Sequence, residues 1–225
     1  ETKARQYFAA VHGLDIQFGR IYRYLKENGL EENTLVVLSA DHGEMMGSHA
    51  RMSKNVWYEE ALHIPLMIRQ KGRLIPREVK TLFASPDHMP TVLELLGLPV
   101  PETCEGYSHA KGILTGKDEN APEDMFICSY PGEAEMVAAY AKKGMTHKAY
   151  GWRGIKTERY TYVCYNGYEP GETPHEWLYD SQTDYYEMSP AEIAPDCMDA
   201  RILGFRKRLR EYLDQQGDPF LFRGV

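Results

Sequence analysis

Cysteine is scarce in this sequence. The 225 residues contain four, Cys104, Cys128, Cys164 and Cys197, widely spaced and without a C-x-x-C pair. A disulfide scaffold and a zinc ribbon are both poor readings of that pattern. Long apolar runs are missing too: the best, Leu35-Val36-Val37-Leu38, is strand length and far short of a membrane span. Basic charge is in deficit, with 26 Lys and Arg against 33 Asp and Glu and a net charge of -7. That balance argues against a nucleic-acid coat, which carries a basic stripe. Internal repeats and low-complexity tracts are absent. No methionine or signal peptide opens the chain at Glu1, so it reads as trimmed, processed or part of something longer. What is present is ordinary for a globular protein: 43% hydrophobic and 26% charged residues, enough to bury the core of one large domain or two small ones.

The first half alternates helix and strand. Tyr7, Phe8, Val11, Leu14, Phe18, Ile21, Tyr22 and Leu25 recur at helical spacing, with polar residues between them, so an amphipathic helix is expected from Lys3 to Glu27. Asn28-Gly29 supplies its left-handed stop. Thr34 to Ser39 reads as a buried strand, Ala40 to Trp57 as a long loop, and Ile64 to Ile68 as a second strand. Leu82 to Ser85 suggests a short extended piece. Pro90 opens a helix that runs to Leu96 and ends at Gly97. After a polar stretch at 117–122 the texture changes. Phe126–Tyr130, Val137–Tyr140, Ala149–Lys156, Tyr160–Tyr165 and Trp177–Asp180 read as short aromatic-rich strands between turns, and Arg159 sits between two that suit a hairpin. Asp196 or Asp199 is expected to cap a final helix. Its apolar face would be Ile202, Phe205, Leu209, Tyr212 and Leu213, with Arg201, Arg206, Lys207, Arg208 and Arg210 facing water and Gly217 ending it. The fold class expected is α/β.

Chemistry is concentrated between Asp41 and Glu60. Open α/β sheets place ligands just beyond the carboxyl ends of their strands, and the first strand ends in Asp41-His42-Gly43. A carboxylate and an imidazole side by side can both reach a cation, while Gly43 lets the backbone turn behind them. The plain alternative is a turn in which Asp41 caps the backbone. Lys54 adds a point charge suited to an oxyanion, and His49 can donate a hydrogen bond or carry a proton.

In this order the residues resemble the C-terminal half of a sulfatase of the alkaline-phosphatase superfamily. Asn33 to Glu44 is similar to the family's metal-ligand strand. Gly47-Ser48-His49, Lys54, Tyr58-Glu59-Glu60 and Ile64-Pro65-Leu66 resemble the loop and strand that follow. Asp87, Pro90-Thr91, Leu93 to Pro99 and Gly106 resemble a later helix, and Arg159-Tyr160, Tyr162-Val163 and Leu178-Tyr179-Asp180 a small C-terminal sheet. The resemblance implies the later part of an alkaline-phosphatase-like mixed sheet flanked by helices, residues 1–120, and a small C-terminal antiparallel sheet with a terminal helix, residues 121–225. It implies that Asp41 and His42 bind one divalent cation, calcium first, with Mg2+, Mn2+ or Zn2+ open because histidine is a softer ligand than calcium prefers. It implies that Lys54 contacts the sulfate and that His49 lies near the same pocket. Glu60 is expected to pair with loop backbone, while the role of Glu44 is open. Arg153, His147 and His175 are candidate contacts to a small sulfated substrate, or else solvated loop residues.

The family's nucleophile is a formylglycine made from the first residue of a C/S-x-P-S-R motif. No cysteine here has that setting: Cys104 precedes Glu105-Gly106-Tyr107, and Cys128 precedes Ser129-Tyr130-Pro131. The expected partner is therefore an N-terminal half of the same protein. Alone, the chain is expected to be inactive and prone to self-association through an uncovered sheet edge or face. A second reading is a phosphodiesterase or phosphonate hydrolase of the same superfamily, with two transition metals and extra histidine ligands. His109, His147 and His175 qualify for that role by type only. A third is a non-catalytic interaction or structural fragment.

Overall fold

The computed structural model describes residues 2–222. The chain divides into two compact units, one made of residues 2–54, 59–80 and 84–121, the other of 55–58, 81–83 and 122–222.

In the first unit, α1 (Thr2–Glu27) ends as its sequence dictates. Gly29 adopts φ +66°, the Leu30 N–H reaches the Leu25 carbonyl at 2.9 Å, and the Gly29 N–H reaches that of Lys26 at 3.3 Å. This pair of bonds closes the last turn around a residue that needs left-handed backbone. The apolar stripe of α1 is uncovered: Phe8, Leu14 and Ile21 are 69%, 70% and 60% exposed, and no residue of the helix is buried. Strands β1 (Val36–Ser39) and β2 (Leu66–Arg69) pair antiparallel, Val36 opposite Arg69 and Ser39 opposite Leu66. Burial of β1 is only partial: Val37 and Met67, 36% and 57% exposed, lie on opposite faces of the two-stranded ladder. A run that reads as a buried strand needs layers on both faces, and among the described residues neither face is fully covered.

Glu31, 5% exposed, ties α1 to β2. Its Oε1 accepts from the Tyr22 hydroxyl at 2.5 Å and from Arg69 Nη2 at 2.6 Å, while Lys71 Nζ lies 3.1 Å from Oε2. These donors hold its carboxyl down at about 2, the Tyr22 hydrogen bond first among them. Helices α2 (Glu59–Leu62), α3 (His88–Leu95) and α4 (Ala110–Thr115) complete the unit. In the stretch 82–85, read as a short extended piece, Ala84 is extended (φ −92°, ψ 160°), and Ser85–Asp87 then forms a 3-10 turn leading into α3. Asp87 is buried there and accepts from the backbone N–H of Ala84 and of Tyr107.

The second unit is a five-stranded sheet: β3 (Asp124–Ser129), β4 (Trp152–Thr157), β5 (Tyr160–Tyr165), β6 (His175–Asp180) and β7 (Ala191–Glu192), in sequence order and antiparallel throughout. The turn carrying Arg159 joins β4 to β5 as a hairpin. The segment Val137–Tyr140 is not a strand but part of α5 (Ala134–Lys142). Four alanines in that stretch favour helix over the β preference of one valine and one tyrosine.

On one face of the sheet lies α6 (Ala200–Gln216), capped by Asp199, whose Oδ1 accepts from the N–H groups of Arg201 and Ile202. Ile155, Tyr162, Cys164, Leu209, Leu213 and Phe220 form the core between them. Arg206 does not face water as its neighbours suggest. It is 2% exposed and grips Glu176 of β6 through Nε and Nη2, each at 2.9 Å, with the carbonyls of Cys197 and Ala194 satisfying its remaining donors. Arg208 likewise reaches Asp124 of β3 at 2.8 Å.

Two outcomes follow. Removing one member of a buried ion pair strands the other, so Arg206→Ala should destabilise the protein by about 3–5 kcal/mol, read as a lowered urea midpoint. The depressed Glu31 carboxyl adds stability that is complete above the unfolded value near 4.5 and is lost as pH falls towards 2. Glu31→Gln should therefore flatten the stability-against-pH curve across that window and lower it at pH 7.

Candidate active site

The first unit's chemistry begins where β1 ends. Asp41, its side chain 85% exposed, accepts the His42 N–H on Oδ1 at 3.0 Å. The His42 Nδ1 lies 2.7 Å from the Gly43 carbonyl oxygen. A carbonyl only accepts, so Nδ1 carries the proton, which leaves the Nε2 lone pair outward. That Nε2 lies 3.3 Å from Asp41 Oδ2. A neutral imidazole there faces the carboxylate with a lone pair that a cation can take, and a protonated one pairs with it directly. The donor set fits a divalent ion: one carboxylate oxygen and one imidazole nitrogen whose other ring nitrogen is fixed by a backbone carbonyl. Among the described residues no group of three or more His, Cys, Asp and Glu that could hold a metal ion converges; Asp41 and His42 offer two donor atoms.

Gly43 is required by close backbone approach. A Cβ there would lie 1.9 Å from the Glu60 carbonyl oxygen. In its place the Gly43 N–H reaches the Ala61 carbonyl and the Glu44 N–H that of Glu60, both at 2.9 Å. Both glutamates engage the loop backbone. Glu44, left open, clasps the loop through its side chain, with Oε1 accepting from the Ser53 N–H at 2.6 Å and the Met46 N–H at 3.5 Å. Glu60 contributes its backbone carbonyl.

Within this clasp the loop folds on itself. Met45, 1% exposed, plugs it, and bonds from Met45 N–H to Ser53 and from Gly47 N–H to Arg51 close it, both at 2.9 Å. Met46, His49, Ala50 and Ser53 all take positive φ, between 50° and 73°. Side chains other than glycine rarely adopt that region, and clustered strain of this kind marks sites where geometry is fixed for function. His49 and Lys54 belong to this loop. Lys54 is half-buried and, among the described residues, makes no ion pair.

The remaining candidates lie elsewhere. Arg153 is fully buried in the second unit. Its Nε and Nη2 bind Asp218 at 2.7 and 3.1 Å, and its other donors reach the carbonyls of Ser129, Trp152 and Lys148. With no exposed surface and every donor used, it holds structure together and is not a substrate contact. His175 stacks on Trp177 at 5.0 Å and pairs with Glu192 at 2.8 Å. His109, buried, sits 3.2 Å from Asp87 Oδ2. Burial raises the Asp87 carboxyl, but His109 and two backbone N–H groups more than offset it and leave it below its ordinary value. Trp57, read as loop, is a buried anchor of the second unit: its indole N–H reaches the Tyr179 hydroxyl at 2.9 Å and its ring stacks on Trp177. An aromatic pair at 57–58 inside a polar loop was the available signal.

The sulfatase family model matches residues 2–98. The chain is similar to an endo-4-O-sulfatase from Bacteroides thetaiotaomicron, 35% identical over 191 residues, which are 82% of this chain and 36% of that enzyme. A solved structure concerning glycosaminoglycan metabolism by Bacteroides thetaiotaomicron is 32% identical, with a TM-score of 0.78 over 95% of this chain and 43% of that one. The phosphonate monoester hydrolase of Agrobacterium radiobacter is 29% identical, with a TM-score of 0.74 over 92% of this chain and 40% of that one. The chain thus spans about a third of the length of the curated relative it matches. Motif order, fold and these likenesses agree: the chain belongs to the sulfatase family of the alkaline-phosphatase superfamily.

Proposed function

We propose that this chain is the cation- and anion-holding portion of a sulfuric-ester hydrolase that removes sulfate from a sugar. The observation that carries the reading is the Asp41–His42 pair, two facing electron-pair donors 3.3 Å apart, at the head of a strained loop that ends in Lys54. In this reading Asp41 Oδ2 and His42 Nε2 ligate one divalent cation, calcium first. When bound, that ion draws charge from a sulfate oxygen. Lys54 holds the sulfate and offsets charge on the leaving sugar oxygen as the S–O bond breaks. His49 donates a hydrogen bond to the same anion or passes the proton that the leaving oxygen takes up. Glu44 and Gly43 keep the loop in place without touching substrate. The nucleophile, a formylglycine, is supplied by an N-terminal half of the same protein. The name of the endo-4-O-sulfatase relative supports a sulfated-saccharide substrate for this chain.

The likeness to the phosphonate monoester hydrolase supports a second reading, a phosphodiesterase or phosphonate hydrolase. The chemistry of this chain favours the first. The buried histidine best placed by type to serve an extra metal, His109, is engaged with Asp87.

Both readings are open to experiment on the intact gene product. Lys54→Ala should lower kcat/KM for a sulfated disaccharide by about 10²–10³, measured as sulfate released; an unchanged rate would remove Lys54 from the site. Elemental analysis of the purified protein should find one calcium per chain, and Asp41→Asn should weaken its retention. Two zinc or manganese ions per chain would instead favour the phosphonate reading.

A further inference from the structure

A cleft lies wholly within the second unit. It is lined by Asn166, Glu172, Thr173 and Pro174 of the loop that joins β5 to β6, by Tyr150 of the turn before β4, and by Leu221 beyond α6. Its volume, about 360 Å³, is within the range of small-molecule sites.

The segments that line it are tied together without a ligand. The Gly151 N–H reaches the Gly167 carbonyl at 2.7 Å, and the Asn166 N–H returns to the Gly151 carbonyl at 2.8 Å. Asn166 Nδ2 donates to the carbonyls of Ala149 at 3.3 Å and Leu221 at 3.0 Å, which joins the turn to the C-terminal segment. Glu172 clasps its own loop: Oε1 accepts from the N–H groups of Tyr168 at 2.9 Å and Glu169 at 2.7 Å, and Oε2 from the Tyr165 hydroxyl at 2.8 Å. A site braced in this way loses little freedom on binding.

What the bracing leaves unused points to the ligand. Both Asn166 Nδ2 bonds go to carbonyls, so the side-chain oxygen of Asn166 remains as an acceptor. The Tyr150 and Thr173 hydroxyls make no hydrogen bond among the described residues. Each can donate and accept, which is what a ligand hydroxyl offers in return. Pro174 and Leu221, the latter 55% exposed, add apolar surface that suits the C–H face of a sugar ring. No lysine or arginine lines the cleft, and its one charged lining side chain, Glu172, repels anions. Burial raises that carboxyl, yet the Tyr165 hydroxyl and two backbone N–H groups bring it below its ordinary value, so it is ionised at neutral pH. Three of its roughly four lone-pair sites are already taken, which leaves little for a cation. We propose that this cleft binds an uncharged sugar unit, one with hydroxyls but no sulfate or carboxylate, through Tyr150, Asn166 and Thr173. The choice of a sugar rests on the sulfated-saccharide reading, to which it adds an unsulfated unit.

The test is titration of the intact gene product followed by ligand-observed NMR. The uncharged probes are N-acetyllactosamine and diacetylchitobiose, and a hyaluronan disaccharide of equal size is the carboxylate-bearing comparison. At least one uncharged probe should bind, and the hyaluronan disaccharide should bind about tenfold more weakly. Tyr150→Phe and Thr173→Val each remove one hydroxyl and should weaken the uncharged probe about three- to tenfold. Melting temperatures should not change, since neither hydroxyl holds the protein together. Glu172→Gln should narrow the gap between charged and uncharged probes. The proposal is overturned if neither uncharged disaccharide binds, if the Tyr150→Phe/Thr173→Val double variant binds as the parent does, or if the hyaluronan disaccharide binds as tightly as the uncharged ones. A parent protein that binds an uncharged probe through these hydroxyls but releases no sulfate from a sulfated disaccharide would overturn the sulfatase reading and leave the cleft standing. Release of sulfate without such binding would overturn the cleft and leave that reading standing.

Discussion

A loop that carries candidate site residues is only as well defined as the pin that closes it, and here the pin is the approach of Gly43 to the Glu60 carbonyl. Any side chain at 43 would collide with that oxygen. Because glycine is there, residues 43–44 and 60–61 exchange backbone bonds, and everything between them is confined to a closed arc. Asp41 and His42 lie just before the pin. Glu44 reaches across the arc to the Ser53 N–H, one residue before Lys54. The four positive-φ residues are tolerable only because this clasp and the buried Met45 over-determine the path. The order of cause runs from one missing Cβ, to a pinned loop, to a fixed His42 tautomer and a positioned Lys54.

The second unit solves a different problem with buried arginines. A five-stranded antiparallel sheet with one helix has little apolar volume, and aromatic rings fill most of it. Arginine suits such an interior, since its planar fork takes two carboxylate oxygens and several carbonyls at once while its face packs on rings. Arg206 joins α6 to β6 in this way, and Arg153 joins β4 to the segment after α6 through Asp218. Neither pair is strong evidence of extra stability over an apolar substitute, because desolvation offsets much of the attraction. What they provide is direction: each fixes which helix turn or loop meets which strand.

Legibility in the sequence followed the range of the forces involved. The stop of α1 at Gly29, the end of α3 at Gly97, the Arg159 hairpin and the Asp199 cap are local, each decided within about six residues, and each is readable. The position of Asp41 and His42 at a strand end is equally local. The fates of Arg153 and Arg206 are not. Their partners lie 65 and 30 residues away, so a buried brace and a solvated charge look alike in sequence. The clasp made by Glu44 was hidden for the same reason, since the Ser53 N–H comes within its reach only when the loop closes. Val137–Tyr140 failed differently: its two β-favouring residues stood out more than the alanines that set the helix. The apolar stripe of α1 is a fourth kind of case. Its period was legible, but burial needs a neighbour, and the described residues offer none.

Net charge illustrates the same point at the scale of the protein. A value of -7 says that a nucleic-acid coat is a poor reading, yet it is silent about where an anion can be held. Recognition of a small anion is decided within about a Debye length, roughly 8–10 Å in ordinary salt. Within such a radius, Lys54 without an ion-pair partner outweighs acids far away on the surface. Some of those acids are paired elsewhere: Glu31 with Arg69 and Lys71, Glu176 with Arg206, Asp124 with Arg208, Asp218 with Arg153. Lys54, in the strained loop after β1, is one cation that such pairing leaves over among the described residues.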